Sequence, residues 1–169
     1  MILLDTNVIS EPMKPLPDRN VIAWLDSQEL ETLHTSSTAL AELLEGVRRL
    51  PHGKRRDAVE STVQRTLETL IGSRVLAFDR AAAEYYATRI ITARGRGVDV
   101  KQADGQIASV AATHRFIVAT RDVRPFIAMG VKVINPWEDD PKPQSMSLIE
   151  ALAAEPGTED IELDVHRQS

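Results

Sequence analysis

Short apolar runs alternate with longer stretches of helical periodicity along this chain. Ile2-Leu3-Leu4, Leu33-His34-Thr35-Ser36, Val75-Leu76-Ala77-Phe78, Phe116-Ile117-Val118-Ala119 and Val131-Lys132-Val133-Ile134 read as five strands. Between them Val59, Val63, Leu67 and Leu70 or Ile71 recur at helical spacing, as do Ala82, Tyr86 and Ile90. Residues 102–114 place Ala103, Ile107, Ala108 and Ala111 on one helical face. Strands separated by helices of this length need crossover connections. That predicts an α/β fold with a mainly parallel central sheet of about five strands and helices on both faces. Trp24, with Val21, Ile22 and Leu25, is expected in the core or in a partner groove, and Gly95-Arg96-Gly97 reads as a helix-ending turn.

The pattern stops at Asn135-Pro136-Trp137, where proline ends the last strand. Pro141 and Pro143 then mark a linker, and Ser147-Leu148-Ile149-Glu150 has the form of a capping box for a short helix over 147–155. Beyond Pro156-Gly157 an acidic stretch is expected to be poorly ordered. The predicted organisation is one domain over 1–140 and an acidic tail over 141–169.

Charge sharpens this division. The chain carries a net −5, but residues 138–169 hold nine acids against Lys142 and Arg167, so residues 1–137 are left with a net +2. The acidic balance of the whole chain therefore does not argue against a nucleic-acid partner for the domain. The absence of cysteine excludes disulfides and thiolate metal sites and fits a reducing cytoplasm, the expected location. The amino terminus has neither a basic segment nor a long apolar run, so no signal peptide and no membrane span is expected.

Four acids carry the candidate chemistry: Asp5, Glu42, Asp104 and Asp122. Each lies at the carboxyl end of a predicted strand or early in the helix that follows, where a parallel sheet gathers side chains at one edge. Like charges so gathered repel, and they share protons or hold a cation between them. An oxygen-only set suits Mg²⁺ or Mn²⁺, whose common use is phosphoester cleavage.

Each acid also has a plainer structural role open to it. Asp5 leads an Asp-Thr-Asn cluster suited to capping a helix, and Asp122 stands before the short helix predicted over 123–129. Glu42 sits among apolar neighbours and could pair with an arginine, while Glu45 one turn on is more easily solvated. Asp104 falls in a first helical turn, where the dipole favours it, and Asp99 is its rival if that helix begins earlier. The case rests on all four in order.

Leu3-Leu4-Asp5-Thr6-Asn7-Val8, Ala41-Glu42-Leu43, Ala103-Asp104-Gly105-Gln106-Ile107-Ala108 and Ala119-Thr120-Arg121-Asp122 together resemble the PIN domain. The likeness is nearest to toxins of the VapC and FitB type, and Asn135-Pro136-Trp137 is also similar to the FitB-like branch. It spans residues 1 to about 139 and leaves the tail without a role. No member of the acidic quartet is replaced.

The resemblance implies a three-layer α/β/α fold and Mg²⁺-dependent endonucleolytic hydrolysis of RNA that leaves 5′-phosphate and 3′-hydroxyl ends. It assigns Asp5 and Asp104 as direct ligands of one or two metal ions, with Glu42 and Asp122 completing the site directly or through water. Thr120, with Thr6 or Asn7, is expected to supply supporting hydrogen bonds. A cognate antitoxin is the implied protein partner, its tail filling a groove that includes Val8–Leu25 and the Glu42 helix. A homodimer is also implied.

Arg48, Arg49, Lys54, Arg55 and Arg56 place five positive charges within nine residues. They form either a solvated corner between helices or a phosphate-binding rim. His34, His52, His114 and His166 lack metal-ligand spacing and are assigned structural or surface roles. Trp24 and Trp137 are too few and too far apart in sequence to suggest a base-stacking platform. Two other functions compete. A haloacid-dehalogenase-like phosphohydrolase would use Asp5 as nucleophile, but needs an acid two residues on, where Asn7 stands. A non-catalytic RNA-binding or regulatory module would retain the fold without needing the intact quartet.

Overall fold

The computed structural model describes residues 1–138. Five strands, β1 (Ile2–Leu4), β2 (Leu33–Ser36), β3 (Val75–Leu76), β4 (Ile117–Ala119) and β5 (Val133–Ile134), form one sheet in the order β3-β2-β1-β4-β5, and every pairing is parallel. Among the described residues seven α-helices accompany them: α1 (Thr6–Ser10), α2 (Arg19–Asp26), α3 (Ser37–Arg48), α4 (Lys54–Leu70), α5 (Arg80–Gly95), α6 (Gln102–His114) and α7 (Val123–Ala128). The α/β reading of the sequence holds. The predicted tail, its short helix over 147–155 and His166 lie outside the described residues.

Successive strand residues point to opposite faces, and each face is covered by helices. Leu4 and Ala119 join one apolar cluster with Val8, Val21, Trp24, Leu25, Leu43, Val59 and Val63. Leu3 and Val118 join the other, with Ile90, Ile107, Val110, Phe126 and Met129. This makes three layers. Trp24 belongs to the core, as one of its two expected places. No helix among the described residues is long and apolar enough to cross a membrane.

Three strands are shorter than their apolar runs, each because a backbone group bonds elsewhere. Arg115 takes the left-handed conformation (φ 59°) and the Phe116 amide donates to Ala111 O at 2.8 Å, so Phe116 closes α6 instead of opening β4. The Val131 amide likewise donates to Phe126 O, leaving β5 only two residues. The Phe78 amide donates to Ser37 Oγ at 3.1 Å, which ends β3 early.

Candidate functional site

β1 is the centre of the sheet, and the chain leaves it toward β2 on one side while β4 lies on the other. Strand order therefore reverses between β1 and β4, and the crevice beyond their carboxyl ends is where open α/β sheets bind ligands. Asp5 follows β1 and Thr120 follows β4, so these residues meet at that crevice.

Asp5 is fully buried, and hydrogen bonds reach both of its carboxylate oxygens. The Thr6 amide donates to Oδ1 at 2.8 Å; Asn7 Nδ2 and Thr120 Oγ1 donate to Oδ2 at 2.7 and 2.8 Å. An ionised carboxylate only accepts, so this environment suits that form. Oδ1 caps α1, while Oδ2 accepts from Asn7 and, across the sheet, from Thr120.

Thr6 links two members of the quartet. Its amide bonds Asp5, and its Oγ1 donates to Glu42 Oε2 at 2.7 Å. Glu42 is half-buried on α3, in keeping with its apolar flanks, whereas Glu45 is exposed and paired with Arg49 at 2.8 Å. Asp122 is exposed at the start of α7; its side chain does not cap that helix, and its amide donates to Thr120 Oγ1 at 3.1 Å. The Thr120 hydroxyl, buried at 0% exposure, thereby joins Asp5, Asn7 and Asp122 in one network.

Asp104 is buried in the first turn of α6. That helix begins after Lys101, which leaves Asp99 exposed and outside it. Because α6 feeds the amino end of β4, its own start lies over the carboxyl edge of the sheet, as the other three acids do. Two contacts fix its approach. Gly105 lies so close to Tyr86 that a Cβ there would stand 2.6 Å from the ring. Thr38 Oγ1, one turn before Glu42, donates to Gln106 Oε1 at 3.2 Å and ties α3 to α6.

The donors are all oxygen, which is the chemistry a hard divalent cation prefers. Among the described residues no three His, Asp or Glu side chains stand close enough together to hold one ion. Mg²⁺ retains several waters and takes one or two carboxylates, so the donor set fits such an ion without a closed cage of side chains.

The basic run occupies the corner between α3 and α4. Arg48, Arg49, Lys54 and Arg55 are exposed, and Arg56 is half-buried against His52 at 3.3 Å. His34 and His114 pack on Phe116. The sequence reading overlooked one pair at the crevice: the Arg121 guanidinium lies over the Trp137 ring, 5.5 Å from its centroid. Sixteen positions separate them, and only the β4–β5 pairing brings them together.

A family model described as the PIN domain matches residues 2–132. A VapC ribonuclease of Sinorhizobium fredii is 46% identical over 138 residues, covering 82% of this chain and 99% of the relative. The toxin FitB of Neisseria gonorrhoeae is 44% identical over 139 residues, 82% of this chain and all of the relative. The crystal structure of FitAcB from Neisseria gonorrhoeae superposes with a TM-score of 0.77 at 43% identity, covering 82% of this chain and 99% of that one.

Proposed function

This chain belongs to the PIN-domain family and is of the VapC and FitB type, and we propose that it is a metal-dependent endoribonuclease, the toxin of a toxin–antitoxin pair. The observation that carries the reading is the hydrogen-bonded chain from Glu42 through Thr6 and Asp5 to Thr120 and Asp122. It spans two strand ends and a helix at the switch point of the sheet.

Asp5 and Asp104 are the proposed direct ligands of Mg²⁺ or Mn²⁺, with Glu42 and Asp122 completing the site directly or through water. When bound, the ion would neutralise charge on the scissile phosphate and make a water molecule more acidic. The chain's own part is orientation. Thr120 and Asn7 hold one oxygen of Asp5, the Thr6 amide holds the other, and the Thr6 hydroxyl fixes Glu42. Such supporting contacts set ligand direction and are commonly worth about 10–100-fold in metal affinity or activity.

The proposed partner is an antitoxin, since relatives of this chain are VapC and FitB proteins and the FitAcB structure shares its fold. The exposed basic corner at 48–56 is proposed as an RNA rim. A homodimer is proposed as well.

The test is cleavage of end-labelled RNA in Mg²⁺ by the protein and by Asp5→Asn. The account expects cleavage with 5′-phosphate products, lost in a folded variant. Equal rates from the two proteins would reject it.

A further inference from the structure

We propose that Arg121 receives a phosphate of single-stranded RNA beside the scissile bond, with Trp137 as the residue that positions it; the inference rests on the ribonuclease reading above. Four carboxylates at one sheet edge repel a polyanion, so substrate needs a cation at the lip of the site. Arg121 is exposed and lies between two members of the site, Thr120 and Asp122. Its amide donates to Asn7 Oδ1 at 3.3 Å, and Asn7 Nδ2 donates to Asp5 Oδ2 at 2.7 Å. Two hydrogen bonds thus separate the Arg121 backbone from the proposed metal ligand.

Among the described residues the side chain is held without its donors being spent. Its guanidinium rests over the Trp137 indole at 5.5 Å, within cation–π range. Among the described residues it makes no ion pair and no side-chain hydrogen bond. Other surface arginines differ: Arg49 pairs with Glu45 and Arg80 with Glu84. A guanidinium held over a ring by cation–π attraction keeps N–H groups available, and these match phosphate oxygens.

Trp137 is itself fixed. Its amide donates to Asn135 Oδ1 at 3.2 Å, its carbonyl accepts from Asn20 Nδ2 at 3.2 Å, and its ring packs on the apolar cluster that contains Leu4 and Val8. Arg89 stacks on Tyr85 at the same 5.5 Å, so stacking alone does not mark a site. The tether to Asn7 is what distinguishes Arg121.

The experiment measures RNA cleavage in Mg²⁺ and, in EDTA, binding of a labelled single-stranded RNA across a salt series. The proteins are the full chain, Arg121→Ala, Arg121→Lys and Trp137→Leu. Loss of one charge-assisted phosphate contact should weaken binding by Arg121→Ala about tenfold. It should also reduce the salt slope by about 0.7. Trp137→Leu should weaken binding while leaving the slope nearly intact, and Arg121→Lys should keep the slope but not the full affinity.

If the full chain cleaves RNA but Arg121→Ala binds with unchanged affinity and slope, the inference fails and the ribonuclease reading stands. If the full chain binds with the expected Arg121 dependence but never cleaves, the ribonuclease reading fails and takes with it the place beside a scissile bond, leaving only a phosphate contact. A chain that neither binds nor cleaves overturns both.

Discussion

Thr120 Oγ1 donates to Asp5 Oδ2 at 2.8 Å across the β1–β4 junction, joining residues 115 positions apart in the chain. The same hydroxyl accepts from Asn7 Nδ2 and from the Asp122 amide. Replacing Thr120 with valine keeps the shape and removes all three bonds inside a buried site. The expected cost is about 1–3 kcal/mol of stability. Cleavage should fall as well, and Thr120→Ser should restore both. Denaturant unfolding and initial rates, measured in parallel, check this.

Thr6 gives a cleaner separation of folding from chemistry. Thr6→Val retains the amide that donates to Asp5 Oδ1 but deletes the hydroxyl that donates to Glu42 Oε2. Stability should drop by about 1 kcal/mol. Cleavage should drop by about 10–100-fold. An unchanged rate in the folded variant would show that Glu42 needs no such support.

Gly105 should resist substitution although it sits inside a helix. Alanine there gains up to about 1 kcal/mol of helix propensity. Its methyl, however, would stand 2.6 Å from the Tyr86 ring. Overpacking of this kind costs about 1–3 kcal/mol, so Gly105→Ala is expected to destabilise on balance. Because Asp104 is the adjacent residue, activity should fall too. A higher unfolding midpoint for Gly105→Ala would refute the packing argument.

The basic corner yields a prediction about salt. Arg49, the residue that caps the carboxyl end of α3, lies two turns after Glu42, roughly 10 Å along the axis and on nearly the same face. If the corner meets RNA, replacing Arg48, Arg49 and Arg55 together should weaken binding and flatten its salt dependence by about 0.7 per lost phosphate contact. A slope equal to that of the full chain would identify the corner as ordinary solvated surface.

Much of the fold was legible because periodicity reports burial directly. Leu3 and Leu4 fall in opposite clusters, as alternation in a doubly covered strand requires. The strand ends were less legible: Phe116 and Val131 read as strand but bond back to Ala111 and Phe126, and apolar character does not distinguish those uses. Asp5 and Thr120 could be placed because they directly follow strands, and Asp122 because it stands before the helix that comes after β4.

The details that couple the site were not legible. Nothing local indicates that Thr38 meets Gln106 or that Thr6 bridges to Glu42. Trp137 looked isolated because its partner Arg121 reaches it only through the pairing of β4 with β5.

The central claim is that these carboxylates work through a divalent ion, and Asp104 tests it most directly, since Asp104→Asn preserves size in a buried position. Cleavage of a panel of end-labelled RNAs should be measured with Mg²⁺, with Mn²⁺ and with EDTA, for the full chain and for Asp104→Asn. The account predicts cleavage with either metal, none in EDTA, and none from a folded Asp104→Asn. Cleavage that persists in EDTA, or in the variant at the full chain's rate, would contradict it.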